Sequence, residues 1–155
     1  AKERFGFIAV EGSPPLLART ERPQPRMPPN AVKAAVIDRD GYHCRFCGIP
    51  VVQSSIRQLL HKTYPDVVAW GSRNTEQHAA LQCMWLQYDH VLPNGRGGDS
   101  GYDNVVVTCA PCNFGRMETT LEEARLIDPR VEKLDATWAG FETWDGLERL
   151  RQARP

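Results

Sequence analysis

Leu86-Gln-Tyr-Asp-His-Val-Leu-Pro93, a glycine-rich loop, and then Tyr102-Asp-Asn-Val-Val-Val-Thr-Cys-Ala-Pro-Cys-Asn-Phe-Gly-Arg116 form the stretch on which the fold turns. Leu86, Tyr88 and His90 alternate with Gln87 and Asp89, the period-two pattern of a half-buried strand. Pro93 and Asn94-Gly95 end that strand. Val105 to Thr108 is a second β-branched run, and Pro111 suits the first turn of a helix, where its missing N–H costs nothing. The predicted order is strand, loop, strand, helix. Polar side chains fall at the end of the first strand (Asp89, His90), beside the loop (Asn104) and on the helix (Asn113).

Working outward, the cysteines come next. Four of the five form two Cys-x-x-Cys pairs, Cys44/Cys47 and Cys109/Cys112. Two thiolates three positions apart reach one ion from a tight turn, and two such turns complete a tetrahedral zinc site. Residues 48–108 separate the pairs, so the fold must bring them together. Four protein ligands leave no open position, which makes the expected Zn2+ structural, contributing roughly 10–16 kcal/mol of apparent binding energy to folding. The plainer alternative is a set of reduced, unliganded core cysteines. Cys83 lies outside the pattern and is expected to be a buried free thiol.

Asp89-His90 is the candidate chemical centre. A neutral imidazole is a good general base near pH 7. Asp and Asn supply oxygen ligands, which suit Mg2+ or Mn2+ better than zinc. Neighbours on an ideal strand face opposite ways, so both residues serve one centre only if the strand frays or bulges there. Asn104 is read either as an ordinary turn residue or as a side chain that pins the loop to the strand and so holds His90. Asn113 follows Cys112 directly, so a structural zinc would fix its position.

The flanks are less specific. Residues 1–29 hold Phe5–Val10, read as a candidate strand or the tail of a preceding domain, and then a Pro-rich, Arg-bearing arm, read as a linker or surface strap or as a basic arm along a phosphate backbone. Residues 30–40 read as a short helix stopped by Gly41. In residues 53–83 two helices are expected, the second over about 75–83, forming an inserted helical hairpin. Thr120-Leu-Glu-Glu123 has the capping-box pattern and predicts a helix ending before Asp128-Pro129. Residues 128–155 form a Trp-rich helical extension, with Trp138, Phe141, Trp144, Leu147 and Leu150 on one apolar face.

The 155 residues suit one domain with a modest core, and the zero net charge argues against a dedicated, tight nucleic-acid binder without excluding an enzyme that touches a few phosphates. No apolar run approaches a membrane span. With no export pattern at the N-terminus, a cytoplasmic location is expected.

Together, Arg39-Asp-Gly-Tyr-His-Cys-Arg-Phe-Cys-Gly48, Asp89-His-Val-Leu-Pro93, Arg96-Gly-Gly98, Asp103-Asn104 and Cys109-Ala-Pro-Cys-Asn113 resemble the HNH endonuclease family, the ββα-metal nucleases. The resemblance covers about residues 30–52 and 85–127. It implies an α+β fold: a ββα-metal (His-Me finger) core in residues 30–127, with a zinc knuckle, the inserted hairpin at 53–83 and flanking helices. By that resemblance His90 is the general base that activates water, Asp89 and Asn113 hold a catalytic Mg2+ or Mn2+, and Asn104 orients His90. Arg96 and Arg116 are the candidate phosphate contacts. Asn113 stands where the family name has its last His, and Arg116 where many members have Lys. The expected activity is metal-dependent endonucleolytic hydrolysis of DNA rather than RNA, with no membrane partner and with monomer or homodimer left open. The rival expectation is a non-catalytic zinc module that binds nucleic acid or protein.

Overall fold

The structure, a computed structural model, describes residues 10–132, 134 and 140–153. Residues 5–9 of the candidate strand and Trp138 lie outside the described residues. Helix and strand are mixed, an α+β arrangement around a small two-stranded antiparallel sheet.

The sheet forms where the two apolar runs predict it. Strand β1 is Leu86–His90 and β2 is Val105–Cys109. Their register pairs Leu86 with Cys109 and His90 with Val105, with no bulge between. Every residue of β2 is buried, because both of its faces are covered. Val105, Val107 and Cys109 join Val36, Cys44 and Val51 in one core cluster. Helix α1, Asn30–Asp40, contributes Val36 to that cluster and ends at Gly41, whose φ of 66° suits glycine.

The chain then turns through a knuckle. The Cys44 N–H donates to Ile49 O at 2.9 Å and the Gly48 N–H to Cys44 O at 2.8 Å. The Arg45 N–H donates to Val107 O at 2.9 Å, which ties the knuckle to β2. At the far end of β2, helix α4 (Ala110–Arg116) starts at once, with Pro111 in its first turn. It packs on both strands.

The segment between knuckle and sheet builds a second core. Helix α2, Ser54–Thr63, places Ile56 and Leu60 against Leu81, Val52, Val68 and Met84. The Arg57 guanidinium lies 3.7 Å from the Trp70 ring centroid and 4.6 Å from that of Trp85. The single helix expected over 75–83 is broken. A 3-10 turn at Asn74–Glu76 is followed by helix α3, Ala79–Cys83. Tertiary bonds at the break outcompete the helical ones: Trp70 bridges to Gln77, and the His78 N–H donates to Ala69 O at 2.8 Å. Cys83, expected to be buried, is exposed at the end of α3.

The C-terminal part also departs from its pattern. The capping box closes, with the Thr120 N–H donating to Glu123 Oε2 at 3.0 Å and the Glu123 N–H to Thr120 Oγ1 at 3.2 Å. The helix does not propagate, because Arg125 takes a φ of 53° and the chain turns away. Among the described residues of the tail only helix α5, Glu148–Gln152, is regular. Trp144 and Leu147 pack on the second core, and Phe141 stacks on His43 with ring centroids 3.9 Å apart. The apolar face is therefore delivered largely by turns, with Leu150 left partly exposed.

Among the described residues no helix is long and apolar enough to cross a membrane.

Candidate functional site

The two Cys-x-x-Cys pairs meet. The ligand sulfurs of Cys44, Cys47, Cys109 and Cys112 all lie within 4.8 Å of one another. Cys47 Sγ and Cys109 Sγ are 3.7 Å apart. That matches the edge of about 3.8 Å that a regular ZnS4 tetrahedron requires at a zinc–sulfur distance near 2.3 Å. It is far too long for a disulfide. Hydrogen bonding from Cys109 and Cys112 pushes the Cys47 thiol well down, while Cys109, Cys44 and Cys47 hold the Cys112 thiol up. Four thiols this close do not all ionise unless a cation sits among them. The donor set and spacing fit a metal such as Zn2+, which would join the knuckle to the junction of β2 and α4.

Asp89 and His90 stand at the end of β1, and the regular register leaves them on opposite faces of the strand. Asp89 faces α4. Its side chain is 7% exposed, and Arg116, at 2%, meets its Oδ2 from Nη2 at 2.7 Å and from Nε at 2.9 Å. Burial pushes the Asp89 carboxyl up to about 6, against the opposing pull of Arg116. Arg116 also donates to Val91 O at 3.2 Å, to Thr119 O at 2.8 Å and to His90 O. The sequence makes Arg116 a candidate phosphate contact; in the structure every nitrogen of its guanidinium is engaged inside the protein. Arg96 is likewise engaged, with Glu123 at 3.1 Å, Glu118 O at 3.1 Å and Pro14 O at 2.5 Å. Both arginines, named as candidate phosphate contacts, serve as internal braces, surrounded by carbonyls and carboxylates.

His90 is half-buried and faces the loop and the N-terminal arm. Its Nε2 lies 2.8 Å from Ser100 Oγ. Burial is the main reason its pKa lies below the ordinary histidine value, with the charges of Arg116 and Arg26 acting the same way. The shift favours the neutral ring at pH 7.

Asn104 closes the loop back onto the strand end. Its Oδ1 accepts from the Leu92 N–H at 2.9 Å, and its Nδ2 donates to Leu92 O at 3.0 Å and Asp99 O at 2.8 Å. The Val91 N–H adds a bond to Asn104 O at 2.7 Å. Asn113 lies three residues before Arg116 on α4, a spacing that places the two on one helix face. Asp89 and Asn113 each carry an oxygen donor of the type a hard divalent ion takes. Access is the obstacle, since Arg116 already neutralises one Asp89 oxygen.

Three features were not read from the sequence: Ser100 against His90, Glu118 and Glu123 as partners of the loop, and the docking of the arm. The Leu17 N–H donates to Gly95 O at 2.8 Å, Asn94 Nδ2 to Pro23 O at 3.0 Å, and Arg22 pairs with Glu118 at 3.2 Å. Nothing marks a loop serine or a carbonyl of a Pro-rich segment as a contact. In comparisons with known proteins, no family model and no curated sequence matches the chain.

Proposed function

We propose that this chain is a zinc-stabilised, metal-dependent endonuclease of the HNH type, hydrolysing phosphodiester bonds of DNA with His90 as general base. What supports the reading most is the placing of His90: a neutral, half-buried imidazole at a strand end, held by one nitrogen and braced by the Asn104-closed loop. His90 takes a proton from water as the water oxygen attacks phosphorus and the bond to the 3′ oxygen breaks. Asp89 and Asn113 would hold a Mg2+ or Mn2+ ion, which when bound supplies charge stabilisation at the phosphoryl and leaving oxygens. Because the register sets Asp89 and His90 on opposite faces of β1, their joint action requires the strand end to open. The Asp89 oxygen not taken by Arg116 is the available donor.

With Arg96 and Arg116 engaged internally, Arg26 is a cation open to substrate. It is exposed on the arm, and its backbone carbonyl lies within the same hydrogen-bonded cluster as His90.

One observation favours the second reading, a non-catalytic zinc module binding nucleic acid or protein: Arg116 already satisfies Asp89 without a metal. Conversion of supercoiled plasmid to nicked and linear forms separates the two. Wild type should cut when Mg2+ or Mn2+ is added and not when both are withheld. His90→Ala should lose cleavage while keeping its melting temperature. Cutting by His90→Ala at the wild-type rate would remove His90 as the base.

A further inference from the structure

The loop between the strands and the N-terminal arm meet at one buried serine. Ser100 is 7% exposed. Its Oγ lies 2.8 Å from His90 Nε2, 2.7 Å from Pro25 O and 3.0 Å from Arg26 O. A hydroxyl has a single hydrogen, and a carbonyl oxygen can only accept. With that hydrogen directed at the Pro25–Arg26 carbonyls, Ser100 meets His90 as an acceptor. His90 Nε2 must then carry a hydrogen of its own. In the neutral ring this leaves the lone pair on Nδ1, which has no hydrogen-bond partner among the described residues.

We infer that Ser100, oriented by the backbone carbonyls of the arm, is a positioning residue that fixes His90 in its Nε2–H tautomer and leaves Nδ1 as the atom that receives the proton from water. The inference rests on the reading of His90 as the general base. It makes residues 23–26 part of the site rather than a trailing basic segment. The anchoring is consistent with that role. Asn94 Nδ2 holds Pro23 O at 3.0 Å and the neighbouring Gly98 O at 3.2 Å, so one loop side chain sets both the arm and the loop. A free arm would leave the Ser100 hydroxyl able to rotate toward His90 and donate to it, which would favour the other tautomer.

The test reads the tautomer directly. In 15N-labelled full-length protein at about pH 8, above the ordinary histidine range, the long-range proton–nitrogen spectrum distinguishes Nε2–H from Nδ1–H. The His90 signals are assigned by their loss in His90→Gln. Wild type should show a single Nε2–H pattern. Ser100→Ala should show mixed tautomers and, on a cleaved plasmid, a fall in kcat of roughly 100-fold, the scale of a misplaced reacting group, with little change in KM. Ser100→Thr, which keeps the hydroxyl, should restore both. An Nδ1–H pattern in wild type overturns the inference, as does Ser100→Ala with unaltered tautomer and kcat. If Ser100→Ala does not fold, the wild-type spectrum and Ser100→Thr decide. Should His90→Ala still cut, the base assignment fails, while the tautomer spectrum still judges the hydrogen-bond argument on its own.

Discussion

Arg116 and Asp89 neutralise each other where water hardly reaches, and removing either partner strands the other. Arg116→Ala should destabilise the protein by about 3–5 kcal/mol, the scale for breaking a buried pair, as read by denaturant unfolding. A loss below 1 kcal/mol would mean that Asp89 has taken up a proton at little cost. The same neighbourhood sets the response to pH. The Asp89 carboxyl is raised from 3.8 to about 6, so between these values the folded state holds more protons than the unfolded one, and this contribution to stability is lost as pH rises through about 6. His90 is lowered from 6.5, so the folded state holds fewer protons, and its contribution is lost as pH falls below 6.5 toward the folded value. A general base of the proposed kind works unprotonated. The ascending limb of kcat/KM against pH should accordingly lie below 6.5, with a flat profile above it; a limb centred above 7, beyond the ordinary histidine pKa, would contradict the placing of His90.

At the scale of elements, the loop Pro93–Asn104 does the positioning. Gly98 sits where a Cβ would overlap Leu92 O and press on Asn104 Nδ2 at 2.7 Å. Gly98→Ala should therefore break the loop closure and depress cleavage strongly while leaving the four-cysteine cluster intact, checked by activity beside zinc content. The elements that were legible in the sequence were those whose signals are local. Alternation marked β1, β-branching marked β2, Pro111 marked the start of α4, and Gly41 marked the end of α1. The helix expected after Thr120 failed although its capping box closed, because Glu123 also carries Arg96 across to the loop and the chain turns at Arg125. Helix 75–83 failed because Trp70 and Ala69, well before it in sequence, claim Gln77 and His78. The candidate site divides in the same way. Which residues cluster was readable for the cysteines from spacing alone. That Arg116 is internal was not, since an arginine on a short helix carries no mark of what it faces.

At the scale of the whole molecule, two cores share the chain, one around β2 and the knuckle, the other around α2, α3 and Trp144. The four-cysteine cluster belongs to the first, joining segments far apart in sequence. Cys109→Ser should reduce bound zinc and lower the melting temperature together, measured by metal analysis and calorimetry. Unchanged melting with no zinc in the wild type would refute the structural role. The second core touches the first through Val51 and Val52. Trp144 Nε1 donates to Val51 O at 3.2 Å, and the Val52 N–H donates to Met84 O at 2.6 Å. Loss of metal should thus be felt in the inserted segment as well.

The cysteine cluster has a mechanical consequence too. Cys44 and Cys112, the outermost of the four cysteines, are held together through one centre, so a metal there would close the chain between them into a loop of 112 − 44 = 68 steps. Tension applied between the termini would pass from residue 44 to residue 112 through metal–sulfur bonds, leaving that loop slack. Its release would appear as a lengthening of about 220–245 Å at full extension, and a chelator present beforehand would abolish the step. Everything between the two strand ends, including His90 and its loop, would be sheltered from the pull until the metal gave way.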